Sequence, residues 1–240
     1  MTSARQLKSA TIGLVGFAAT EEQVLIAGSP PDEPGSPQNW AALPVVAHNT
    51  EFKAQQVQRL LAISLSRVPQ DFGEVNHASS EVYLGYAAQA PDRVAAESYR
   101  VTGDLIESLK SVSADDLFDP SRNPWLKGRQ LWLQVIVRGF WHPTGHLADY
   151  YLGHGDPDRA VAMATHALAT ARYFGVPDEA RGMASYNLAC AEAKAGYLHD
   201  ATATVRETIG LNPGLRAKVA TEPDLAALRD GGDLESAGAS

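Results

Sequence analysis

Cysteine is almost missing: Cys190 is the only one in 240 residues. One thiol cannot close a disulfide within the chain or build a thiolate cluster for zinc, so a reducing compartment is expected. Its neighbours Leu188, Ala189 and Ala191 predict a buried structural thiol rather than a reactive one. Positive charge is short as well. Twenty Lys and Arg face 28 Asp and Glu, a formal net charge of −8, and no basic cluster interrupts the pattern. Such a chain has no field to draw phosphate backbones, which argues against nucleic acid as a partner. Nor does any stretch read as the ~20 apolar residues of a membrane span. Glu21 and Glu22 come too soon after the apolar residues 12–17 for a signal peptide. The expectation is a cytoplasmic protein with no membrane partner.

Several catalytic signatures are also lacking. There is no P-loop, no Gly-x-Gly-x-x-Gly after a strand, no Gly-x-Ser-x-Gly elbow and no Cys-x-x-Cys. The chain shows no alternation of strand and helix patterns, which argues against a nucleotide-binding sheet.

Apolar periodicity of the helical kind, by contrast, runs through the chain. With 45% hydrophobic and 20% charged residues it has material for an ordinary core. Residues 4–27 carry Leu7, Leu14, Val15 and Leu25 at roughly helical spacing. Residues 28–39 hold Pro30, Pro31, Pro34 and Pro37 and read as a loop, long enough to suggest a lid. A second helix is expected from Ala41 to before Pro69, then a polar loop over 69–79 and a short helix over 81–89. A third long helix should start at Pro91-Asp92, and residues 113–124 read as loop. A fourth begins near Leu126 and is apolar nearly all round through Trp132, Ile136 and Trp141, which predicts a central position.

The C-terminal part repeats itself. Leu147, Gly155, Ala160 and Ala167 match Leu188, Gly196, Ala201 and Thr208, with the same spacing from leucine to glycine and from glycine to alanine or its equivalent. Small residues let antiparallel helices approach, and glycine makes the turn. The register resembles the tetratricopeptide repeat, although the copies stand further apart than its usual ~34 residues. Two such repeats need a neighbour to cover their apolar faces. The fourth helix is expected to serve both as the last of the bundle and the first of the repeats. A single capping helix is expected over 214–229, then a frayed tail. The repeats offer a surface for a second copy of the chain or for a protein partner.

Of seven histidines, three form a pattern. His142 and His146 are spaced i,i+4 and share a helix face. His48 sits among Val45, Val46, Ala47 and Phe52 as if pointing inward, with Glu51 nearby. Two helices offering one and two imidazoles could close a three-nitrogen site for a divalent metal such as zinc or nickel. The metal would act as a Lewis acid and lower the pKa of a bound water or thiol. Asp149 lies one turn beyond His146, where it would serve as ligand, ligand-orienting acceptor or general base, and Glu51 is a second carboxylate for such a role. Trp40, Trp125, Trp141 and Tyr150 would line a pocket for a small-molecule substrate. Plainer roles exist for each: His142 as a core residue bonded to a carbonyl, His48 as the cap of a polar pocket, the tryptophans as packing. Pro143 would either kink the helix between the two histidines or start a new helix with His142 as its cap.

Leu43-Pro44-Val45-Val46-Ala47-His48, with Phe52 one turn on, and Trp141-His142-Pro143-Thr144-Gly145-His146-Leu147 resemble the DinB/YfiT-like superfamily. That superfamily includes the mycothiol-dependent maleylpyruvate isomerase and colibactin-resistance types. The resemblance spans about residues 5–153. It implies an up-down-down-up four-helix bundle, often with a divalent metal held by His48, His142 and His146. It also implies a thiol transferase or thiol-dependent isomerase that uses a low-molecular-weight thiol; some members are metal-free self-resistance proteins. Pro143 and the repeat-like tail depart from the common pattern. The expected architecture is all-α: a bundle over 1–153, helical repeats over 154–230 and a flexible tail over 231–240.

Overall fold

The computed structural model describes residues 3–30, 32–72 and 80–231. The protein is all-α, and no β-strand occurs among the described residues. One isolated bridge joins Ser36 and Asn39. The chain forms two compact units, residues 1–143 and 144–240. The division falls between Pro143 and Thr144, within one continuous helix.

In the first unit, α1 (Ala4–Gly28) opens with a capping box. Ser3 accepts from the Gln6 amide, and the Gln6 side chain returns to the Ser3 backbone, which satisfies two otherwise orphaned donors. By length and composition α1 is apolar enough to cross a membrane, contrary to the expectation that no segment is. Here its Leu14, Val15 and Ala18 are fully buried. α1 packs on α4 (Pro91–Ser111), which starts at a proline whose missing N–H costs nothing in a first turn. Val94, Val101, Leu105 and Leu109 of α4 complete that face.

α2 (Ala42–Ser64) is buried nearly all round, and it packs on α4 and on the short α3 (Ser80–Ala87). Its buried set includes His48, Asn49, Lys53, Gln56 and Arg59. α2 thus buries a polar face, which its apolar periodicity does not suggest. The Glu33 carboxylate accepts from the Ala42 amide at 2.7 Å and so caps α2 from the proline-rich loop. Gly35 in that loop has no room for a side chain, since a Cβ would fall 2.6 Å from the Tyr83 hydroxyl and 2.7 Å from the Ala41 nitrogen.

Residues 113–124 are not the loop expected. They form α5 (Ala114–Phe118) and a 3-10 turn, Pro120–Arg122. Ser113 caps α5 by accepting from Asp116, and fully buried Leu117 anchors it. Another 3-10 turn, Pro124–Leu126, ends at Lys127 and Gly128, both with positive φ, so the fourth long helix begins at Leu131 rather than near Leu126. It runs as α6 (Leu131–Ile136), a π-helical turn (Val137–Trp141) and α7 (His142–Gly153). Of the expected polar loop over 69–79, residues 73–79 lie outside the described residues.

The π turn answers the question raised by Pro143. The His142 amide bonds to the Val137 carbonyl, five residues back. One extra residue in the turn moves the proline ring away from the carbonyl it would strike in a regular helix. His142 keeps right-handed helical angles (φ −65°, ψ −49°), so it is not the cap of a fresh helix. Gly139 in the same turn brings the backbone against α1: a Cβ there would lie 2.9 Å from Val15 Cγ2.

The second unit holds α8 (Pro157–Tyr173), α9 (Asp178–Lys194) and α10 (Leu198–Leu211), with α9 packed against both others. Turn glycines Gly155, Gly175 and Gly196 have φ of +75°, +63° and +86°, conformations that cost other residues ~1–2 kcal/mol. The small repeat positions Ala160, Ala167, Ala201 and Thr208 are all buried. The final segment is not one helix. It is a 3-10 turn, then α11 (Arg216–Thr221), a second 3-10 turn at Pro223–Leu225, and α12 (Ala226–Asp230). Pro223 cannot continue α11, and Leu225 and Leu228 then bury beside Val205 and Val219. The tail expected over 231–240 lies outside the described residues apart from Gly231.

Candidate functional site

α2 and the start of α7 bring together residues far apart in sequence. His48 is 1% exposed, and its Nε2 lies 3.0 Å from Nε2 of His142. His146 lies one turn further along the same continuous helix, half-buried like His142. Candidate ligand atoms of His48, His142 and His146 all lie within 4.8 Å of one another. A tetrahedral ion bound at ~2.1 Å holds its donors ~3.4 Å apart, so the observed spacings bracket the separation such an ion needs. Three neutral nitrogens also suit zinc or nickel in donor chemistry.

Aromatic rings enclose the pair. The His48 ring centroid lies 5.4 Å from Trp40, 4.9 Å from Phe52 and 5.4 Å from Tyr86. Phe52 also lies 4.6 Å from the His142 ring. Trp40 is held by its indole N–H, which donates to the Pro37 carbonyl at 3.1 Å. The proline-rich loop thus delivers one wall of the site.

The other nitrogen of His48 enters a short chain. Nδ1 lies 3.4 Å from the Tyr86 hydroxyl, and that hydroxyl donates to Glu51 Oε2. With the phenol proton committed to Glu51, the phenol oxygen is left to accept from Nδ1–H. That assigns the lone pair of His48 to Nε2, the atom facing His142. Burial, and then the Glu51 carboxylate, push the Tyr86 phenol well above its ordinary range, so it stays a donor. Glu51 and Tyr86 open onto a cleft of about 230 Å³ that Thr50, Gln89, Arg93 and Glu97 also line.

Other residues expected here are directed elsewhere. Asp149 is exposed, and its carboxylate accepts from Lys194 Nζ at 2.7 Å. Tyr150 stacks on His154 at 4.1 Å. Trp125 sits half-buried in a 3-10 turn and makes no ring contact with the histidines among the described residues. Trp141 is buried in the π turn beside His142. Two residues of the site carry no signal in the sequence. Tyr86 lies on α3, which reads as a mere connector. Arg138 stacks its guanidinium over Phe52 at 4.2 Å, and a lone arginine in an apolar helix does not announce that contact.

Cys190 belongs to the second unit, in a cleft of about 180 Å³ that includes Asp149, Tyr186, Lys194, Glu222 and Asp224. Burial, together with Asp224 and Glu222, pushes its thiol up to about 12. At pH 8 its thiolate fraction is then ~10⁻⁴, far below that of an ordinary thiol with pKa ≈ 8.5. Alkylation of native protein at pH 8 should therefore run at least ~100-fold slower than that of a free cysteine and become fast in denaturant. Equal native and denatured rates, measured by mass spectrometry, would contradict this.

Comparison with protein-family models, curated proteins and solved structures found no match to the chain.

Proposed function

We propose that the first unit, with the helix α7 that continues from it, is a DinB-like four-helix bundle that holds a divalent ion, zinc or nickel, on His48, His142 and His146. In this reading it turns over a small electrophilic metabolite by thiol transfer, isomerisation or hydrolysis, with a low-molecular-weight thiol as candidate cosubstrate. The observation that carries the reading is the approach of His48 to the His142/His146 pair, since His48 and His142 are 94 positions apart and meet at 3.0 Å. A bound divalent ion supplies Lewis acidity. The chain's own groups do the rest. Trp40 and Phe52 wall the site against water, and Tyr86 and Glu51 fix the tautomer of His48. The C-terminal helices read as tetratricopeptide-like hairpins that present a surface to a protein partner or a second copy.

A second reading has an observation of its own. Two imidazole nitrogens 3.0 Å apart can share one hydrogen and satisfy each other with no ion between them. The unit would then be a metal-free protein that binds or sequesters a reactive small molecule. Elemental analysis of protein purified without added metal separates the two. Close to one equivalent of zinc or nickel, surviving gel filtration, supports the enzyme; protein that takes up no divalent metal even when supplied with it leaves the binding reading.

Tyr86→Phe keeps the ring and removes the hydroxyl. Metal affinity should fall by ~10–100-fold, as it does when a histidine ligand loses its orienting partner. Unchanged affinity in a competition titration with a chromogenic chelator would refute the role given to Tyr86.

A further inference from the structure

Arg59 on α2 is 9% exposed, and its Nε and Nη1 are buried with no hydrogen-bond acceptor among the described residues. Arg138, in the π turn packed against α2, likewise has a buried Nε with no acceptor among them. The two guanidiniums are close enough to act on each other: burial first, then the charge of Arg59, lowers the pKa of Arg138. Each lies over an aromatic face, Arg138 over Phe52 at 4.2 Å and Arg59 over Phe72 at 4.9 Å. Gln56 is fully buried one turn before Arg59, and the nitrogen and oxygen of its carboxamide have no partner among the described residues. Phe52, Gln56 and Arg59 have an i, i+4, i+7 spacing, which puts them on one face of α2. Asp71, an exposed carboxylate, is the negative charge that acts on Arg59 among the described residues. Among the described residues the set therefore keeps an excess positive charge.

Buried water can satisfy orphaned donors, but it cannot neutralise a charge. Two partly desolvated guanidiniums within electrostatic reach of each other are unfavourable unless an anion joins them. Planar N–H forks fixed by ring stacking suit an oxyanion with two acceptor oxygens. We propose that Arg59, Arg138 and Gln56 form an anion-binding pocket that receives the carboxylate or phosphate of a small-molecule ligand. Phe52 is shared between this pocket and the histidines, since its ring touches Arg138, His48 and His142. The anion is then part of the molecule handled at the histidine site. That last step rests on the small-molecule reading above; the pocket itself does not.

The test uses full-length protein stripped of metal with a chelator, so that its failure is separate from failure of the metal reading. Calorimetric titration in low-salt buffer uses succinate and inorganic phosphate as probes, and the tighter of the two identifies the head group. One equivalent of either should bind. Arg138→Gln and Arg59→Gln should each weaken binding by about tenfold or more, the loss of a charge-assisted contact. In anion-free buffer both variants should melt no lower than the parent, because each relieves like-charge repulsion. A stacking role alone gives the opposite, a lower melting point with no effect on anions. If either variant fails to fold, the melting point of the parent decides: it should rise with succinate or phosphate but not with an equal ionic strength of chloride. No saturable binding of either probe, or binding indifferent to both substitutions, overturns the proposal.

Discussion

His48→Ala is expected to abolish stoichiometric metal and, with it, any activity that depends on metal, while leaving the helical content intact. Three imidazoles are the minimum for an open catalytic site, and two from a single helix hold a divalent ion only weakly. Loss of a partner that merely orients a ligand already costs ~10–100-fold in affinity, so loss of a ligand should cost at least ~100-fold. His146→Ala should do the same. Asp149→Asn should not, since its carboxylate is engaged by Lys194. Metal content measured on all three variants after identical purification checks this. Full metal retention in His48→Ala would dissolve the three-histidine site.

The second large effect lies deeper in the first unit. Lys53→Met should destabilise the protein by ~3–5 kcal/mol. Lys53 and Glu22 form an ion pair in which both side chains are 0% exposed. Thr102 Oγ1 lies 3.3 Å from the ammonium, and Ser98 Oγ lies 3.5 Å from the Glu22 carboxylate. One carboxylate oxygen, Glu22 Oε1, has no hydrogen-bond partner among the described residues. Truncating the lysine leaves a desolvated negative charge with two hydroxyls nearby, which is the costly case. Replacing both partners by apolar residues removes both charges and is often neutral. Lys53→Met with Glu22→Leu should thus recover most of the loss, measured by urea melts with an unchanged m-value. A double variant as unstable as the single one would show that the pair contributes through packing of the methylenes rather than through charge.

These two sites differ in how far the sequence reveals them. The helix start at Pro91 is legible because proline in a first turn is a local signal. Gly155 and Gly196 are legible as turns because glycine is a local signal too, and both have positive φ. The histidines are legible as candidates because a spacing of four residues is a statement about one helix. Their meeting with His48 depends on how α2 packs, which no local pattern encodes. Glu22 and Lys53 are invisible in the sequence: charged residues 31 positions apart read as two solvated side chains until the packing of α1 on α2 buries both. Arg59 and Arg138 hide in the same way. One clue is present, since α2 carries Asn49, Lys53, Gln56 and Arg59 among apolar residues at helical spacing, and a helix polar on its packed face marks a polar interior. The last segment misleads because the periodicity of its leucines suggests one helix, while Pro223 alone breaks it in two.

The π turn before His142 makes the aim of that histidine a matter of counting. Straightening Val137–Trp141 into a regular helix with all five residues kept would carry the rest of it round by up to about 100°. His142 would then swing away from His48 with no change in composition or charge. Deleting one of the five would instead let a regular helix form with His142 near its present phase, so a substitution that favours the regular form over the π turn is the sharper threat to the site.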